Sequence, residues 1–351
     1  MSRRVYVAAV SLETGYGLGT AAAWNGLSTP GTALVSNGGT PESVAAVSAA
    51  RDESEIIRLT LRGLPEMMTR ATIPVFAGLA AASRPNSGLR ASQYIQESLP
   101  HHRVSLSRIH YNACVASTYA VIDAAATVAR GESPIAMALG ARKIDRLTTE
   151  LFRSGRAMSE RGRLQPFAAE RDGLLLGDGG SALLLTDSSE DALCEVLGWG
   201  LSGEAYDPVR PEPSGFGFER AARRALDAAR LSAGDVDVVN THGTGTRLND
   251  SAEGSAYQEV FGDSSTTFVA TKAKTGHTLE ASGAVESGIA ALGFRTGTQP
   301  GGAEHGSVDP SLGISLAQGP VDIDSATAVV MSVNAAFGGA VAAIVLGGVD
   351  R

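Results

Sequence analysis

Residues 109–132 read IHYNACVASTYAVIDAAATVARGE, and the fold turns on what surrounds their cysteine. The residues before Cys114 end a short strand-like run. Those after it place Tyr119, Ile122, Ala126 and Ala129 at helical spacing. Cys114 thus stands between a strand and the start of a helix. There the positive end of the helix dipole favours a thiolate, a good acyl acceptor and a good leaving group. A buried cysteine among small residues is just as readily simple packing, so the segment needs company elsewhere in the chain.

Working outward, strand-like and helical stretches alternate. RRVYVAAVSL at the start reads as a strand, and TGYGLGT after it as a glycine-rich turn. Its G-x-G-x-G spacing is not a dinucleotide fingerprint. Residues 41 to 72 carry helical periodicity, Ile73 to Leu79 a strand, and residues 80 to 103 a polar, irregular stretch. PIAMALGA (134–141) is a strand, and ERDGLLLGDGGSALLLTD (170–187) a loop with hairpin-like strands. Beyond CEVLGWGLSGE, a strand, the pattern repeats: a helix over 217–230, the strand VDVVN, a helix after His277 and a final pair of strands. This predicts an α/β protein of two similar βαβ halves, 1–190 and 191–351. With no low-complexity linker between them, the halves form one compact unit.

Composition narrows the function classes. A net charge of −8 argues against general nucleic-acid binding, which needs a basic face. Two cysteines, Cys114 and Cys194, make no disulfide framework, so a reduced cytoplasmic setting is expected. The apolar run at the N-terminus is too short for a signal peptide. Residues 326–349 are long and apolar enough to suggest a membrane span, but Asn334 and the Gly338–Gly339 pair interrupt them. Two buried strands joined by a turn explain the stretch better. Lysine occurs only at 143, 272 and 274, and two of the three lie in one short motif.

Three more segments bear chemistry. In THGTGTRLND (241–250), His242 ends a strand and faces a Gly/Thr loop. In TKAKTGHTLEASG (271–283), Lys272 precedes His277 by five positions and Gly276 permits a tight turn. In NAAFGG (334–339), a turn offers backbone N–H groups to an oxyanion. Taken singly each is weak. Their order, A-C-x-x-S, then H-G-T-G-T-x-L-x-D, then K-x-x-x-G-H, then F-G-G, resembles the β-ketoacyl synthase family of condensing enzymes.

The resemblance implies a thiolase-like fold in five layers, αβαβα. It implies that Cys114 takes an acyl group from a carrier-protein thioester, and that His242 and His277 assist decarboxylation of a malonyl thioester and stabilise the enolate. Lys272 would support the imidazoles and Glu253 would pair with that lysine. The N–H groups of Cys114 and Phe337 would form the oxyanion hole, with Phe337 as an aromatic gate and Thr244, Thr246 and Asn334 in support. No metal and no cofactor are implied, since substrates arrive on the phosphopantetheine of an acyl carrier protein. A homodimer, or a heterodimer with a related subunit, is implied as well.

Several positions depart from the family pattern. The chain is short by dozens of residues before Cys114. Ala335, Ala336 and Ala340–Val341 replace a Phe, a Gly and a Thr–Asn pair. Ala168 stands for an Asp, and Glu280 for a small residue. These changes leave open an acyltransferase or cyclase that does not decarboxylate, and a non-catalytic partner subunit. For the carrier, Arg142, Lys143, Arg146, Arg153, Arg156, Arg161 and Arg163 form a candidate basic surface. Pairing of those charges with Asp145, Glu150 and Glu160 is the competing expectation.

Overall fold

The computed structural model describes residues 3–16, 20–29, 50, 52–65, 71–80, 87–302 and 306–350. In chain order the elements are β1 (Tyr6–Glu13), α1 (Thr20–Ser28), α2 (Glu53–Arg62), β2 (Ile73–Gly78), α3 (Ser87–Ser98), β3 (Val104–His110), α4 (Ala116–Ala129), β4 (Ile135–Arg142), α5 (Arg146–Ser154) and β5 (Gly179–Thr186). There follow β6 (Cys194–Gly203), α6 (Phe216–Ala229), β7 (Val238–Asn240), α7 (Arg247–Phe261), β8 (Thr267–Val269), α8 (Lys272–Thr275), α9 (Ser282–Thr296), β9 (Thr298–Gln299), β10 (Val321–Asp322), β11 (Val329–Ala335) and β12 (Ala340–Gly347).

Among the described residues ten strands join in the order β3-β2-β4-β5-β1-β6-β12-β11-β7-β8. The order and directions repeat across the centre. β3, β2 and β4 run parallel, as do β8, β7 and β11; in each half the next two strands alternate in direction. The halves meet at a seam of two residue pairs, Tyr6 with Glu195 and Val7 with Cys194.

Five layers follow from where apolar side chains are spent. α4 and α9 are buried on nearly every face, which is the mark of a helix enclosed on all sides. Both halves of the sheet pack on them. On the outer face of the first half, Ile56, Ile57 and Leu61 of α2 and Ala91 and Ile95 of α3 cover β2 and β4. On the outer face of the second, Phe218, Ala221 and Ala225 of α6 and Tyr257 and Val260 of α7 cover β11 and β12. The sandwich is therefore helix, sheet, paired helices, sheet, helix. Small residues let the middle layer close up. A Cβ on Gly283 would stand 2.0 Å from Thr118 Oγ1 and 2.3 Å from Thr118 N, so α9 meets the first turn of α4 backbone to backbone.

The apolar stretch near the C-terminus is the antiparallel pair β11 and β12, turning at Phe337–Gly339. Among the described residues no helix is long and apolar enough to cross a membrane. Two expectations need correction. Within the stretch 80–103, expected to be irregular, Ser87–Ser98 form α3, and Ala91, Ile95 and the following Leu99 make a buried stripe beneath a polar face of Ser, Gln and Glu, while 81–86 fall outside the described residues. Residues 170–187 hold no hairpin; β5 is one strand, inserted between β1 and β4 and antiparallel to both. Of the helical stretch expected at 41–72, α2 lies on described residues, while 41–49, 51 and 66–70 fall outside them, as do 17–19 of the glycine-rich turn.

Candidate active site

Cys114 sits in a short 3-10 turn, Ala113–Val115, that runs into α4. Its counterpart in the second half is the 3-10 turn Leu279–Ala281 that runs into α9. Each turn opens on a residue forced into the left-handed region, Ala113 and Leu279, both at φ 47°. Such a conformation costs a side-chain-bearing residue on the order of 1–3 kcal/mol and persists where packing dictates it. The repeat places Glu280 where the first half places Cys114.

The cavity that reaches Cys114 has a volume of about 650 Å³, and His242, His277, Thr244, Thr246 and Phe337 also line it. The two imidazoles lie edge to face, centroids 5.4 Å apart. Residues far apart in sequence, from both halves of the chain, thus converge on one pocket. Phe337 lies across its wall, half-exposed and stacked on Phe152 at 5.9 Å. The Phe337 N–H has no hydrogen-bond partner among the described residues and is free for an oxyanion. The Thr244 and Thr246 hydroxyls are 2.9 Å apart.

Lys272 is not paired with Glu253. Its Nζ donates to Glu286 Oε1 at 2.5 Å, and both side chains are almost wholly buried. Glu253 instead accepts from the N–H groups of His242 (2.6 Å) and Gly243 (2.8 Å), from Tyr257 Oη (2.7 Å) and from Asn249 Nδ2 (3.2 Å). It anchors the loop that carries His242. The resemblance misassigned this pair; Glu253 and Glu286 each lie one helix away from Lys272 along the chain. The signal available was that Glu286 is the one charged residue in SGAVESGIAALGF, an otherwise apolar helix; a lone buried carboxylate needs a cation.

Asp250 ties the same loop to the segment before β5. It accepts from Phe167 N at 2.7 Å and Gly245 N at 3.2 Å. Where the resemblance led one to expect Asp, Ala168 presents only its carbonyl. The buried Arg171 donates to that carbonyl and to Asp309, each at 2.9 Å. Asn334 lies against both His242 and Glu286, close enough to bear on their charges. Among the described residues neither of its amide atoms completes a hydrogen bond, nor does His242 Nδ1.

The electrostatics overturn the expected resting thiolate. Burial, and after it the Glu280 charge, push the Cys114 thiol up to about 12; Lys272, the cysteine's own N–H and Arg142 pull the other way without winning. Desolvation outweighs the helix terminus, so the resting sulfur is protonated. Both imidazoles are held well below the usual histidine value, first by burial and then by the Lys272 charge; for His242 the neighbouring His277 adds to this. They are neutral N–H donors at physiological pH.

The candidate basic surface divides. Arg142 is buried, its guanidinium 3.4 Å from Glu280, 3.7 Å from Glu53 and 2.6 Å from the Thr148 hydroxyl. Lys143 pairs with Asp178, Arg153 with Glu150 and Arg161 with Glu170. Arg146, Arg156 and Arg163 make no ion pair among the described residues. Arg156 lines the cavity together with Arg210 and Arg247, two cations the sequence reading passed over because they lie far from the Arg-rich stretch.

A ten-stranded mixed sheet around two paired helices, with a cysteine and two histidines on one cavity, defines a thiolase-like protein. The chain belongs to the β-ketoacyl synthase family: residues 109–191 match the family's N-terminal domain and residues 193–304 its C-terminal domain, together more than half of the chain. It is 34% identical over 165 residues to 3-oxoacyl-[acyl-carrier-protein] synthase 2 of Mycobacterium bovis, covering 45% of this chain and 39% of that one. With the Rhizobium meliloti protein of the same name the identity is 32% over 216 residues, 57% and 50% of the two chains. The chain thus spans half or less of the curated relatives it matches. Among solved structures, the ishigamide ketosynthase/chain length factor superposes with a TM-score of 0.86 at 25% identity, over 99% of this chain and 100% of that one. A β-ketoacyl synthase from Burkholderia phymatum gives 0.81 at 21% identity, over 99% and 100%, a likeness of fold.

Proposed function

We propose that this chain is a decarboxylating condensing enzyme that joins an acyl group to a two-carbon unit, in fatty-acid or polyketide assembly. The observation that carries this reading is the shared cavity: one thiol and two neutral imidazoles meet in a pocket screened by Phe337. In the first half-reaction the Cys114 sulfur attacks the carbonyl of an acyl thioester. The carrier thiol leaves with the cysteine proton. In the second, a malonyl thioester loses carbon dioxide and the electron pair of the broken bond becomes an enolate. The N–H groups of His242 and His277, both nearly buried, stabilise its oxygen. The enolate carbon attacks the acyl carbonyl on Cys114, whose oxyanion the Cys114 and Phe337 N–H groups receive. The carbon–sulfur bond breaks, and the sulfur takes a proton from water.

Lys272 acts through its charge, keeping both imidazoles neutral, and Glu286 keeps that charge tolerable in the interior. Thr244 and Thr246 line the route of the phosphopantetheine arm, and neither metal nor cofactor takes part. The halves 1–190 and 191–351 work as one catalytic unit. At the mouth, Arg156, Arg210 and Arg247 with the exposed Val209 and Leu248 suit an acidic acyl carrier protein. A second subunit, identical or ketosynthase-like, would pair along β3, whose outer edge has no strand beside it among the described residues. Two free buried thiols fit a cytoplasmic setting.

Intact-protein mass spectrometry with acyl carriers, combined with measurement of carbon dioxide from malonyl carrier, tests the reading. Acyl mass on Cys114 with carbon dioxide release supports it. Acylation without carbon dioxide would make the protein a plain acyltransferase or cyclase, and no acylation would make it a non-catalytic partner.

A further inference from the structure

We propose that Ser282, backed by Thr278, is a positioning residue that fixes the tautomer of His277. The Ser282 hydroxyl lies 3.1 Å from His277 Nδ1 and 3.2 Å from the Thr278 hydroxyl. Thr278, Ser282 and His277 are each 2% exposed or less, so no bulk water competes for these protons. A neutral imidazole carries one N–H, and each hydroxyl carries one proton. Three arrangements of these protons satisfy both contacts.

In one, Thr278 donates to Ser282, Ser282 donates to Nδ1, and the imidazole proton sits on Nε2. In the other two, Nδ1–H donates to Ser282 and Nε2 is bare, while Ser282 either donates to Thr278 or accepts from it as well. The former strands the Thr278 proton and the latter the Ser282 proton, because neither hydroxyl has a further partner among the described residues. An orphaned buried donor bears its full desolvation penalty, whereas a hydroxyl oxygen that already donates tolerates an empty lone pair. Proton counting therefore selects Nδ1 as acceptor and leaves Nε2–H for the cavity that His277 lines. His242 has no such backing, since its Nδ1 has no partner among the described residues. The two imidazoles are thus unequal: His277 is the pre-set donor. Its role as a donor to an enolate rests on the proposed condensing reaction; the tautomer itself does not.

The test is nitrogen NMR on protein labelled with ¹⁵N-histidine, the His277 ring signals being those lost in His277→Asn. The expected result is a protonated Nε2 and an unprotonated Nδ1 in the native protein. Ser282→Ala, which removes one buried oxygen, should bring in the second tautomer. It should also slow carbon dioxide release per acylated enzyme by about tenfold, less than the loss of a donor outright. Ser282→Thr, which restores the hydroxyl, should restore the native nitrogen pattern. A protonated Nδ1 in the native protein, or an unchanged nitrogen pattern in Ser282→Ala, overturns the proposal. Absence of carbon dioxide release from the native protein would count against the condensing reaction, while the nitrogen signals would still decide the tautomer.

Discussion

At the residue scale, the sulfur and the charges behind it make one electrostatic unit. Cys114 is protonated at rest because burial opposes its charge, and the nearby Glu280 adds to that opposition. Alkylation of Cys114 by iodoacetamide should therefore keep rising through pH 9 rather than level off there. Glu280→Gln removes the negative charge, lowers the thiol pKa and should speed alkylation at any fixed pH; equal rates would show that Glu280 does not act on the sulfur. The Lys272–Glu286 pair makes a second prediction. Breaking a buried pair from one side leaves an uncompensated charge, at a cost of about 3–5 kcal/mol. Glu286→Ala should lower the stability to urea by that order. An effect below about 1 kcal/mol would mean that the Lys272 charge is satisfied elsewhere.

At the element scale, α4 and α9 hold Cys114 and His277 in register by lying almost in contact. Gly283→Ala would gain up to about 1 kcal/mol of helix propensity. The new methyl would meet Thr118 backbone at 2.3 Å, however, and forcing such a contact apart costs about 1–3 kcal/mol. The steric term dominates, so the variant should melt earlier than native. Stability equal to native would show that the middle layer has room to move. Most of this frame was legible in the sequence: the strand–cysteine–helix segment, β4, β6, α6, β7 and the β11–β12 pair follow from periodicity. α3 was hidden because its buried stripe is thin and its serines and glutamines read as loop. β5 was read as a hairpin because contiguous apolar residues give no direction, and its two neighbours, β1 and β4, are distant in sequence.

At the scale of the whole molecule, motif order singled out Cys114, His242 and His277, which the fold places on one cavity, yet it could not supply their partners. The Lys272–Glu286 pair, the Asp250–Arg171–Asp309 cluster and the arginines at the mouth depend on which helix lies against which, and spacing does not encode that. Two neutral imidazoles inside the fold also leave a global signature. Unfolding returns each to its ordinary value of about 6.5, so the unfolded chain binds more protons than the folded one as pH falls below that value. Their contribution is fully present above about pH 6.5 and is lost on acidification. Relative to the double variant His242→Asn/His277→Asn, the native protein should lose roughly 1.4 kcal/mol per imidazole for each pH unit below 6.5. Urea titrations at several pH values between 5 and 6.5 check this, and parallel stability curves would mean that the imidazoles are not held neutral.

The most direct measurement is the mass of the product left on the carrier after native protein has met a carbon-13-labelled acyl carrier and an unlabelled malonyl carrier. The expected product is a β-ketoacyl thioester that keeps every labelled carbon and gains two unlabelled ones, and that disappears in Cys114→Ala. Recovery of the labelled acyl group without those two carbons, or an unchanged yield from Cys114→Ala, would contradict the account.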